Sequence, residues 1–384
     1  MTSPIRKTRK IKVGDDYIGG DAPVLIQTMA ATKTQDVDAT AKVINQLAKA
    51  GAQLIRIAVD TPKDVEALIE IRKRVDANLS VDLQENYRLA ERVAPYVEKI
   101  RYNPGHLHHI ESNLPWQKKV EYLVDVAREY DCAIRVGVNC GSIDPTLLEK
   151  AHDAGADDPR YDSILASALE HVDYLESLAF TRYCVSIKSS DPATVVAVNQ
   201  RFSKLRPLVP IHLGVTEAGA PPRGVIKSRM ALEPLLRQGI GDTLRVSLTV
   251  DANKKEAEIQ AARTILENVE HGQIIDSNYK LPALDIVSCP SCSRVQNGRF
   301  VELTRQIAAA SEFARDYPIK IAVMGCRVNG PGETDDADIG IWCGVDRANL
   351  KLGDQFLGVF PYDQVVEKAM ELLRAKIDAL KHAQ

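Results

Sequence analysis

The stretch Leu54-Ile55-Arg56-Ile57-Ala58 is a short apolar run with one charge at its centre, and residues 62–75 follow it as a polar segment with helical periodicity. Such a run is typical of a buried strand, and the segment after it has the spacing of an amphipathic helix. Similar apolar runs begin near Val24, Leu54, Leu79, Lys99, Ala133, Tyr183, Pro210 and Thr243. Eight strand-and-helix units in about 230 residues predict a (β/α)8 (TIM) barrel, with an open doubly wound sheet as the alternative.

The chain beyond the eighth unit predicts a second, smaller α/β domain. A helix at residues 254–271 would complete the barrel, and the region of Pro282 would serve as a linker. The elements expected after the linker are helices at residues 301–315 and 363–381 and strands at residues 319–323, 339–342 and 350–360. We therefore divide the chain into a barrel domain, residues 1–272, and a smaller domain, residues 273–384.

Composition and charge exclude several classes of function. The 384 residues are 45% hydrophobic and 26% charged, as in an ordinary globular protein, and the net charge of -3 gives no basic footprint for nucleic acid or anionic membrane. The first ten residues are basic but lead into no apolar run, so they indicate neither a signal peptide nor a membrane span, and we expect a cytoplasmic protein. Seven scattered cysteines favour thiols or metal ligands over a disulfide framework. Neither a dinucleotide-binding glycine motif nor a P-loop is present.

Four predicted strands carry an arginine flanked by aliphatic residues: Arg56, Arg101, Arg135 and Arg245. A barrel strand is covered by helices on one face and lines the interior on the other, so these guanidinium groups have no solvated position. Buried charges of one sign need anions, which either internal carboxylates such as Asp82, Glu85 and Glu217 or a ligand can supply. We favour a multiply anionic ligand at the carboxyl ends of the strands, because the guanidinium fork matches phosphate oxygens. Lys188, at another strand end, adds a fifth cation.

Polar residues near other strand ends complete this predicted site. Asn139 follows Arg135, Thr216 and Glu217 end their own strand, and Ser247 follows Arg245. Glu217 is the carboxylate that we predict to donate a proton, and a structural pairing with an arginine is the alternative.

Cysteines near the end of the chain predict a metal centre. Cys289-Pro290-Ser291-Cys292 has the spacing that lets two thiolates bind one metal from a single loop, and Cys326 can add a third. Glu333, Cys343 or an external group can be the fourth ligand. The glycines and proline before Glu333 allow the chain to fold this carboxylate back over Cys326, and a weak carboxylate ligand suits a metal position that opens.

Residues 288–294 and 325–333 closely resemble the two signature segments of the 4-hydroxy-3-methylbut-2-enyl diphosphate synthase family, in its two-domain bacterial form. The resemblance extends to residues 19–20, 27–29, 101–105, 135–139, 188–191, 216–219 and 241–247, and so covers nearly the whole chain. It implies a [4Fe-4S] cluster held by Cys289, Cys292, Cys326 and Glu333. It also implies Glu217 as catalytic acid. The residues that would contact a cyclic diphosphate are Arg56, Asp82, Arg101, Arg135, Asn139, Lys188, Thr216, Arg245 and Ser247.

By the same resemblance the chain is an oxidoreductase of the non-mevalonate isoprenoid pathway. It would open and dehydroxylate 2-C-methyl-D-erythritol 2,4-cyclodiphosphate with electrons from ferredoxin or flavodoxin. The family also implies a homodimer in which one subunit's cluster domain covers the other's barrel. One position departs from the family pattern, because Asp82-Leu83-Gln84 replaces an Asp-x-His segment and Gln84 cannot carry a proton.

Two other classes of function stay open on the sequence. One is a phosphate-binding barrel lyase or hydrolase with a structural zinc site, which the identity of the metal distinguishes. The other is a non-enzymatic iron–sulfur sensor or carrier, which leaves the four strand arginines without a role.

Overall fold

The computed structural model describes residues 6–276, 279–327 and 330–382, and two separate hydrophobic cores divide them. The first core fills the barrel and its helical coat, and the second lies in the carboxyl-terminal domain. Val328 and Asn329 of the predicted metal-binding segment and the first half of the basic amino terminus lie outside the described residues.

Eight parallel strands form the predicted barrel. Their order around the sheet is β8-β7-β6-β5-β4-β3-β10-β9, and a bridge between Val185 and Ile211 joins the two ends. The strands are β3 (Leu25–Met29), β4 (Leu54–Ala58), β5 (Leu79–Asp82), β6 (Lys99–Tyr102), β7 (Ala133–Asn139), β8 (Tyr183–Lys188), β9 (His212–Leu213) and β10 (Thr243–Leu244). The TIM-barrel prediction is therefore confirmed, and closure of the sheet argues against the doubly wound alternative.

Helices cover the outer surface of the barrel. They are α1 (Val37–Ala50), α2 (Pro62–Arg72), α3 (Ala90–Val93), α4 (Trp116–Glu129), α5 (Pro145–Asp153), α6 (Pro159–Ser177), α7 (Pro192–Leu205), α8 (Arg223–Arg237) and α9 (Glu256–Glu270). Local sequence explains where α2 begins, because Thr61 and Asp64 form a reciprocal capping box and Pro62 occupies the first turn. The helix ends at Arg72, three residues before the predicted end.

A short hairpin that the sequence pattern did not reveal precedes the barrel. Its strands β1 (Ile11–Val13) and β2 (Asp16–Ile18) pair antiparallel, and Gly14 takes a left-handed φ of 62° in the turn between them. Ile11, Val13 and Ile18 pack against the starts of the barrel strands, so the hairpin closes the amino-terminal end of the barrel.

The smaller domain is a five-stranded mixed sheet with helices against it. The elements are β11 (Asp285–Ser288), α10 (Arg299–Ala310), β12 (Lys320–Met324), α11 (Gly330–Glu333), β13 (Ile339–Cys343), β14 (Arg347–Leu352), β15 (Gln355–Pro361) and α12 (Tyr362–His382). The prediction of one strand at residues 350–360 was wrong: Gly353, with a φ of 53°, turns the chain there and produces the antiparallel pair β14 and β15. Strand β11 was missed. It is four residues long and pairs parallel with β12.

A linker lies between α9 and β11, and its described residues, 271–276 and 279–284, contact α8 of the barrel. The backbone N–H of Ile275 donates to Glu233 Oε2 at 2.6 Å, and the Arg223 guanidinium donates to the Pro282 carbonyl at 3.3 Å. In this structure the smaller domain lies over the barrel of its own chain, because residues of both domains line one cavity. The homodimer in which one subunit's smaller domain covers the other subunit's barrel stays a prediction. The predicted boundary between residues 272 and 273 falls inside this linker and stays a prediction.

No helix within the described ranges is both long and apolar enough to cross a bilayer.

Candidate active site

A cavity of about 510 Å³ lies between the carboxyl ends of the barrel strands and the smaller domain. Its walls contain every site residue that the sequence predicted. These are Arg56, Asp82, Arg101, Arg135, Asn139, Lys188, Thr216, Glu217, Arg245, Ser247, Cys289, Cys292, Cys326 and Glu333. The fold thus brings the predicted anion-binding residues and the predicted metal ligands to one place.

Asp82, at the end of β5, pairs with two of the strand arginines. Its Oδ1 accepts from Arg101 Nη1 at 2.8 Å, and its Oδ2 lies 3.9 Å from Arg56 Nε. Although burial opposes ionisation, the Arg101 and Arg56 guanidiniums hold the pKa of the Asp82 carboxyl well below its usual range. Internal ion pairing therefore accounts for part of the cationic cluster, as the alternative reading of the sequence allowed.

Arg135, within β7, forms no ion pair with a carboxylate among the described residues. Its side chain is nearly fully buried, and within the described residues its Nε and Nη1 have no hydrogen-bond partner. Burial and the neighbouring Arg101 lower the pKa of Arg135 to about 10. A buried charge with unused donors costs free energy unless a ligand satisfies it.

Lys188 and Arg245 add to this positive charge. Burial and the nearby Arg135 and Arg245 lower the pKa of Lys188 well below its usual value. Arg245 lies 3.5 Å from Glu258 of α9, an ion pair that the sequence pattern did not reveal, yet its Nε lacks a hydrogen-bond partner among the described residues. Within the described residues, donors of Arg135 and Arg245 thus stay without hydrogen-bond partners at the strand ends, and these unused donors suit an anionic ligand.

In the part of the chain that the structure describes, Glu217 forms no ion pair with an arginine. Its carboxyl group hydrogen-bonds the Glu333 carboxylate, which comes from the other domain. Burial and the charge of Glu333 raise the pKa of Glu217 well above its usual range. Burial and the Cys292 thiolate raise the pKa of Glu333 to about 8. Glu217 also has a left-handed φ of 49°, and strained backbone of this kind is frequent at functional sites.

Three of the four predicted metal ligands lie at or near the ends of packed elements, and Cys292 lies in the loop after β11. Cys289 follows β11, Cys326 lies two residues beyond β12, and Glu333 ends α11. The backbone N–H of Gly325 donates to Cys289 Sγ at 3.2 Å. Burial, with Cys326 and Cys292 close by, raises the pKa of the Cys289 thiol well above its usual value, so bare thiolates are unfavourable there and a cation would stabilise them.

Small residues make room for the carboxylate ligand. A Cβ on Gly141, at the end of β7, would lie 3.1 Å from Glu333 Cγ, which is tight contact. Cys343, the alternative fourth ligand, is buried in the core of the smaller domain with its thiol hydrogen-bonded to Tyr362. This arrangement favours Glu333 over Cys343.

Arg294 joins the two domains at the cavity and is the main residue that the sequence reasoning left without a role. Its Nε and Nη2 donate to the two carboxylate oxygens of Asp60 at 2.8 and 2.5 Å, and its Nη1 donates to Asp82 Oδ2 at 3.3 Å. Its side chain is only 5% exposed. A charged residue two positions after Cys292, in a segment of small residues, was the available signal. Arg294 therefore links the cysteine loop to the same carboxylate that positions Arg101 and Arg56.

Gln84, the position that departs from the family pattern, contacts an imidazole. Gln84 Oε1 accepts from Arg101 Nη1 at 3.2 Å, and Gln84 Nε2 lies 2.6 Å from His106 Nδ1. Burial and the Arg101 charge lower the pKa of His106 to about 3, so this ring is neutral at neutral pH. The cavity wall thus contains a histidine even though residue 84 is a glutamine.

The fold and the cavity define a class of protein: a (β/α)8 barrel with buried cationic side chains at its strand ends, covered by a cysteine-bearing α/β domain. Sequence comparison places the chain within that class. Residues 8–263 match the GcpE TIM-barrel domain and residues 285–375 match the GcpE protein C-terminal domain, so the chain belongs to the GcpE family. It is an oxidoreductase of isoprenoid biosynthesis.

Two relatives of the chain have the same name. A 4-hydroxy-3-methylbut-2-en-1-yl diphosphate synthase (flavodoxin) of Rhodopirellula baltica is 52% identical over 367 residues, 95% of this chain and 95% of that protein. A protein of the same name from Ruminiclostridium cellulolyticum is 38% identical over 366 residues, 95% of this chain and 96% of its own length. Among solved structures, the dihydropteroate synthase of Yersinia pestis superposes on 68% of this chain and 98% of its own, with a TM-score of 0.46 and 13% identity.

Proposed function

We propose that this chain converts 2-C-methyl-D-erythritol 2,4-cyclodiphosphate to (E)-4-hydroxy-3-methylbut-2-enyl diphosphate by reductive ring opening and dehydroxylation in the cytoplasm. The observation that carries the proposal is the single cavity in which buried cations of the barrel face the thiols and carboxylate of the smaller domain. Family membership supplies the reaction, and this cavity supplies a place for both of its requirements, a diphosphate and a source of electrons.

The barrel wall binds and orients the substrate in this proposal. Arg135 has unused donors within the described residues, and Arg245 and Lys188 flank it in a buried position. Phosphate oxygens would satisfy these donors and offset their charge, so the two phosphates of a cyclic diphosphate suit the site better than a single carboxylate would. Asn139, with an unpartnered Oδ1 among the described residues, can accept a hydrogen bond from a substrate hydroxyl.

The residues of the smaller domain fit a [4Fe-4S] cluster. Cys289, Cys292, Cys326 and Glu333 line the same cavity, and burial with Cys326 and Cys292 close by raises the pKa of the Cys289 thiol, so bound iron would stabilise the thiolates there. Each of these four side chains would bond one iron of the cluster. When bound, such a cluster supplies the two electrons of the reaction one at a time and a Lewis-acidic iron.

Glu217 and Glu333 have separate tasks in this mechanism. Glu217 lies between the barrel cations and the metal ligands, and we assign to it the proton that the departing substrate oxygen needs. Glu333 would be the one carboxylate among the residues that hold the cluster, and a carboxylate would be an easier ligand to displace from iron than a thiolate. Arg294 and the barrel strands exclude water around these groups by holding the domains together.

The proposal includes two partners. The electron donor is flavodoxin or ferredoxin, and the name shared by the relatives favours flavodoxin. The second partner is another copy of the chain in a homodimer. Because one chain supplies both Glu217 and Cys326 to its own cavity here, mixed dimers of Glu217→Gln and Cys326→Ala chains distinguish two arrangements. Recovered activity requires exchange of domains between copies, and absence of recovery places each site within one chain.

Metal analysis followed by an assay tests the proposed function. Protein purified without oxygen should contain about four irons and four sulfides per chain. It should then convert the cyclodiphosphate with reduced methyl viologen as donor, and Arg135→Gln should lose this activity without losing iron. Stoichiometric zinc without sulfide would overturn the proposal in favour of a zinc-containing barrel lyase or hydrolase. A loaded cluster that binds the cyclodiphosphate without converting it would instead indicate a sensor.

A further inference from the structure

Three exposed arginines surround one turn on the outer side of the smaller domain. The turn, residues 344–347, joins β13 to β14 and is closed by a hydrogen bond from the Gly344 N–H to the Arg347 carbonyl at 2.8 Å. Arg299, Arg327 and Arg347 are exposed, and we call these three residues the basic patch.

Short contacts tie the basic patch to this turn. A Cβ on Gly344 would lie 3.0 Å from Arg327 Nη2, so the Arg327 guanidinium lies against the turn. The Tyr362 hydroxyl donates to the Gly344 carbonyl at 2.7 Å, and the Arg299 guanidinium lies 5.2 Å from the centre of the Tyr362 ring. The patch is therefore one surface and not three separate charges.

The charge of the basic patch is left without ion pairs. Within the ranges that the structure describes, none of its three guanidiniums comes within 4.0 Å of a carboxylate. Asp346 is the acidic residue within the turn itself, and Val345, at 57% exposure, presents an apolar side chain beside it. Unpaired arginines around a small apolar centre are typical of a protein interface, and their sign selects an acidic partner.

The position of the patch indicates what that partner does. Arg327 is the residue after Cys326, and the Tyr362 hydroxyl contacts the thiol of Cys343 at the end of β13. Met324, just before Cys326, pairs in register with Trp342, so the turn and the cysteine loop are neighbours across two adjacent strands.

The opposite side of the cysteine loop is closed. Cys289 and Cys326 are only 9% and 6% exposed, and both line the cavity that lies between the smaller domain and the barrel. A protein that exchanges electrons with this region while substrate occupies the cavity must therefore approach from outside.

We infer that the basic patch is the docking surface for a small acidic one-electron carrier protein of the flavodoxin class. This inference rests on the proposed function, which requires such a carrier. The patch places the carrier behind Cys326 while the domains stay closed, so electron delivery does not require the cavity to open. Electrostatic attraction would act mainly on the rate of encounter and on the carrier's KM.

The test compares two electron donors on the same loaded enzyme. Arg299→Glu/Arg347→Glu is the reversed variant, and Arg327 is left unchanged because it adjoins Cys326. The matched control is Arg374→Glu, an exposed arginine in the same domain that likewise lies over an aromatic ring, 5.3 Å from the centre of Phe313. Turnover is measured with reduced flavodoxin over a range of salt concentrations and with reduced methyl viologen.

We expect the reversed variant to raise the KM for flavodoxin about tenfold or more and to flatten its salt dependence. Its rate with methyl viologen should stay within about twofold of the parent, as should both rates of the control. Equal loss with both donors, or an equal effect of Arg374→Glu, would overturn the inference. If the reversed variant has an unchanged KM for flavodoxin but sediments differently from the parent enzyme, the basic patch is instead a contact between copies of this chain. Absence of turnover with methyl viologen in the loaded parent enzyme would refute the proposed function, which is a separate result.

Discussion

Replacement of Arg294 tests whether contact between the two domains organises the cavity. Arg294 binds two carboxylates, and neither of them becomes both buried and unpaired in Arg294→Gln. Asp82 keeps Arg101 at 2.8 Å, and Asp60 is 39% exposed and can be hydrated. The measured loss therefore reports the contact itself, without a large penalty from an orphaned charge.

The size of the effect follows from the geometry. The guanidinium is 5% exposed and binds Asp60 through two hydrogen bonds, and hydrogen bonds to charged groups contribute about 1.5–3 kcal/mol. Since the closed arrangement brings Glu217 to Glu333, we expect Arg294→Gln to lower kcat/KM about tenfold to a hundredfold. Asp60→Asn should produce a similar loss, and the double variant should be little worse than either. The expected coupling free energy is about 1–2 kcal/mol.

The assay is turnover of the cyclodiphosphate with methyl viologen as donor, with iron content and thermal unfolding measured on each variant. The control is a second ion pair between the same domains, Arg305 Nη2 to Asp251 Oδ2 at 3.2 Å, whose side chains are 48% and 39% exposed. Exposed pairs contribute about 0–1 kcal/mol, so Arg305→Gln and Asp251→Asn should show little coupling. A coupling at Arg294 no larger than at the control pair, with iron content unchanged, would refute this reasoning.

Three further outcomes are expected. Arg135→Met should stabilise the free protein by about 1–3 kcal/mol in urea unfolding, because it removes a buried charge with unused donors. The same variant should raise the KM for the cyclodiphosphate. Destabilisation would contradict the conclusion that the Arg135 guanidinium lacks partners in the free protein. Burial lowers the pKa of His171 to about 3 from 6.5, so the unfolded chain takes up a proton below pH 6.5 that the folded chain does not. As the pH falls from 6.5 to about 3, this residue should lower the free energy of unfolding by about 1.4 kcal/mol per pH unit. In His171→Asn the plot of unfolding free energy against pH should be less steep by that amount. Cys326→Ala should lose most of its iron, whereas Glu333→Ala, which keeps three thiolates, should retain more iron. Equal iron loss in the two variants would contradict the expectation that Glu333 binds iron more weakly than Cys326.

The barrel was predictable because its signals are local. Each parallel strand, buried on both faces, is a short run of aliphatic residues, and each helix has a 3.6-residue period, so strand starts such as Leu54 and Ala133 were placed correctly. The hairpin around Gly14 was not predicted, since strands of three residues are too short to show a period. The prediction of a single strand at residues 350–360 was wrong for a similar reason, because Gly353 was the main sequence signal for the turn.

The membership of the site was also predictable. Arginines such as Arg101 and Arg135 stand out within apolar strands, and cysteines such as Cys289 and Cys326 stand out by their spacing. All the predicted residues line one cavity because the carboxyl ends of parallel strands meet at one rim of a barrel.

The sequence by itself thus determined the barrel, the presence of a second α/β domain and a set of residues that line one cavity, since periodicity and spacing are properties of neighbouring residues. The roles of those residues stay predictions. Only the tertiary structure decided how those residues pair. In the fold Asp82 pairs with Arg101 and Arg294, and Glu258 pairs with Arg245. Two donors of Arg135 have no partner among the described residues and can bind a ligand. These pairings depend on strand register and on where a linker brings the second domain, and distances of this kind are set by packing between segments far apart in the chain.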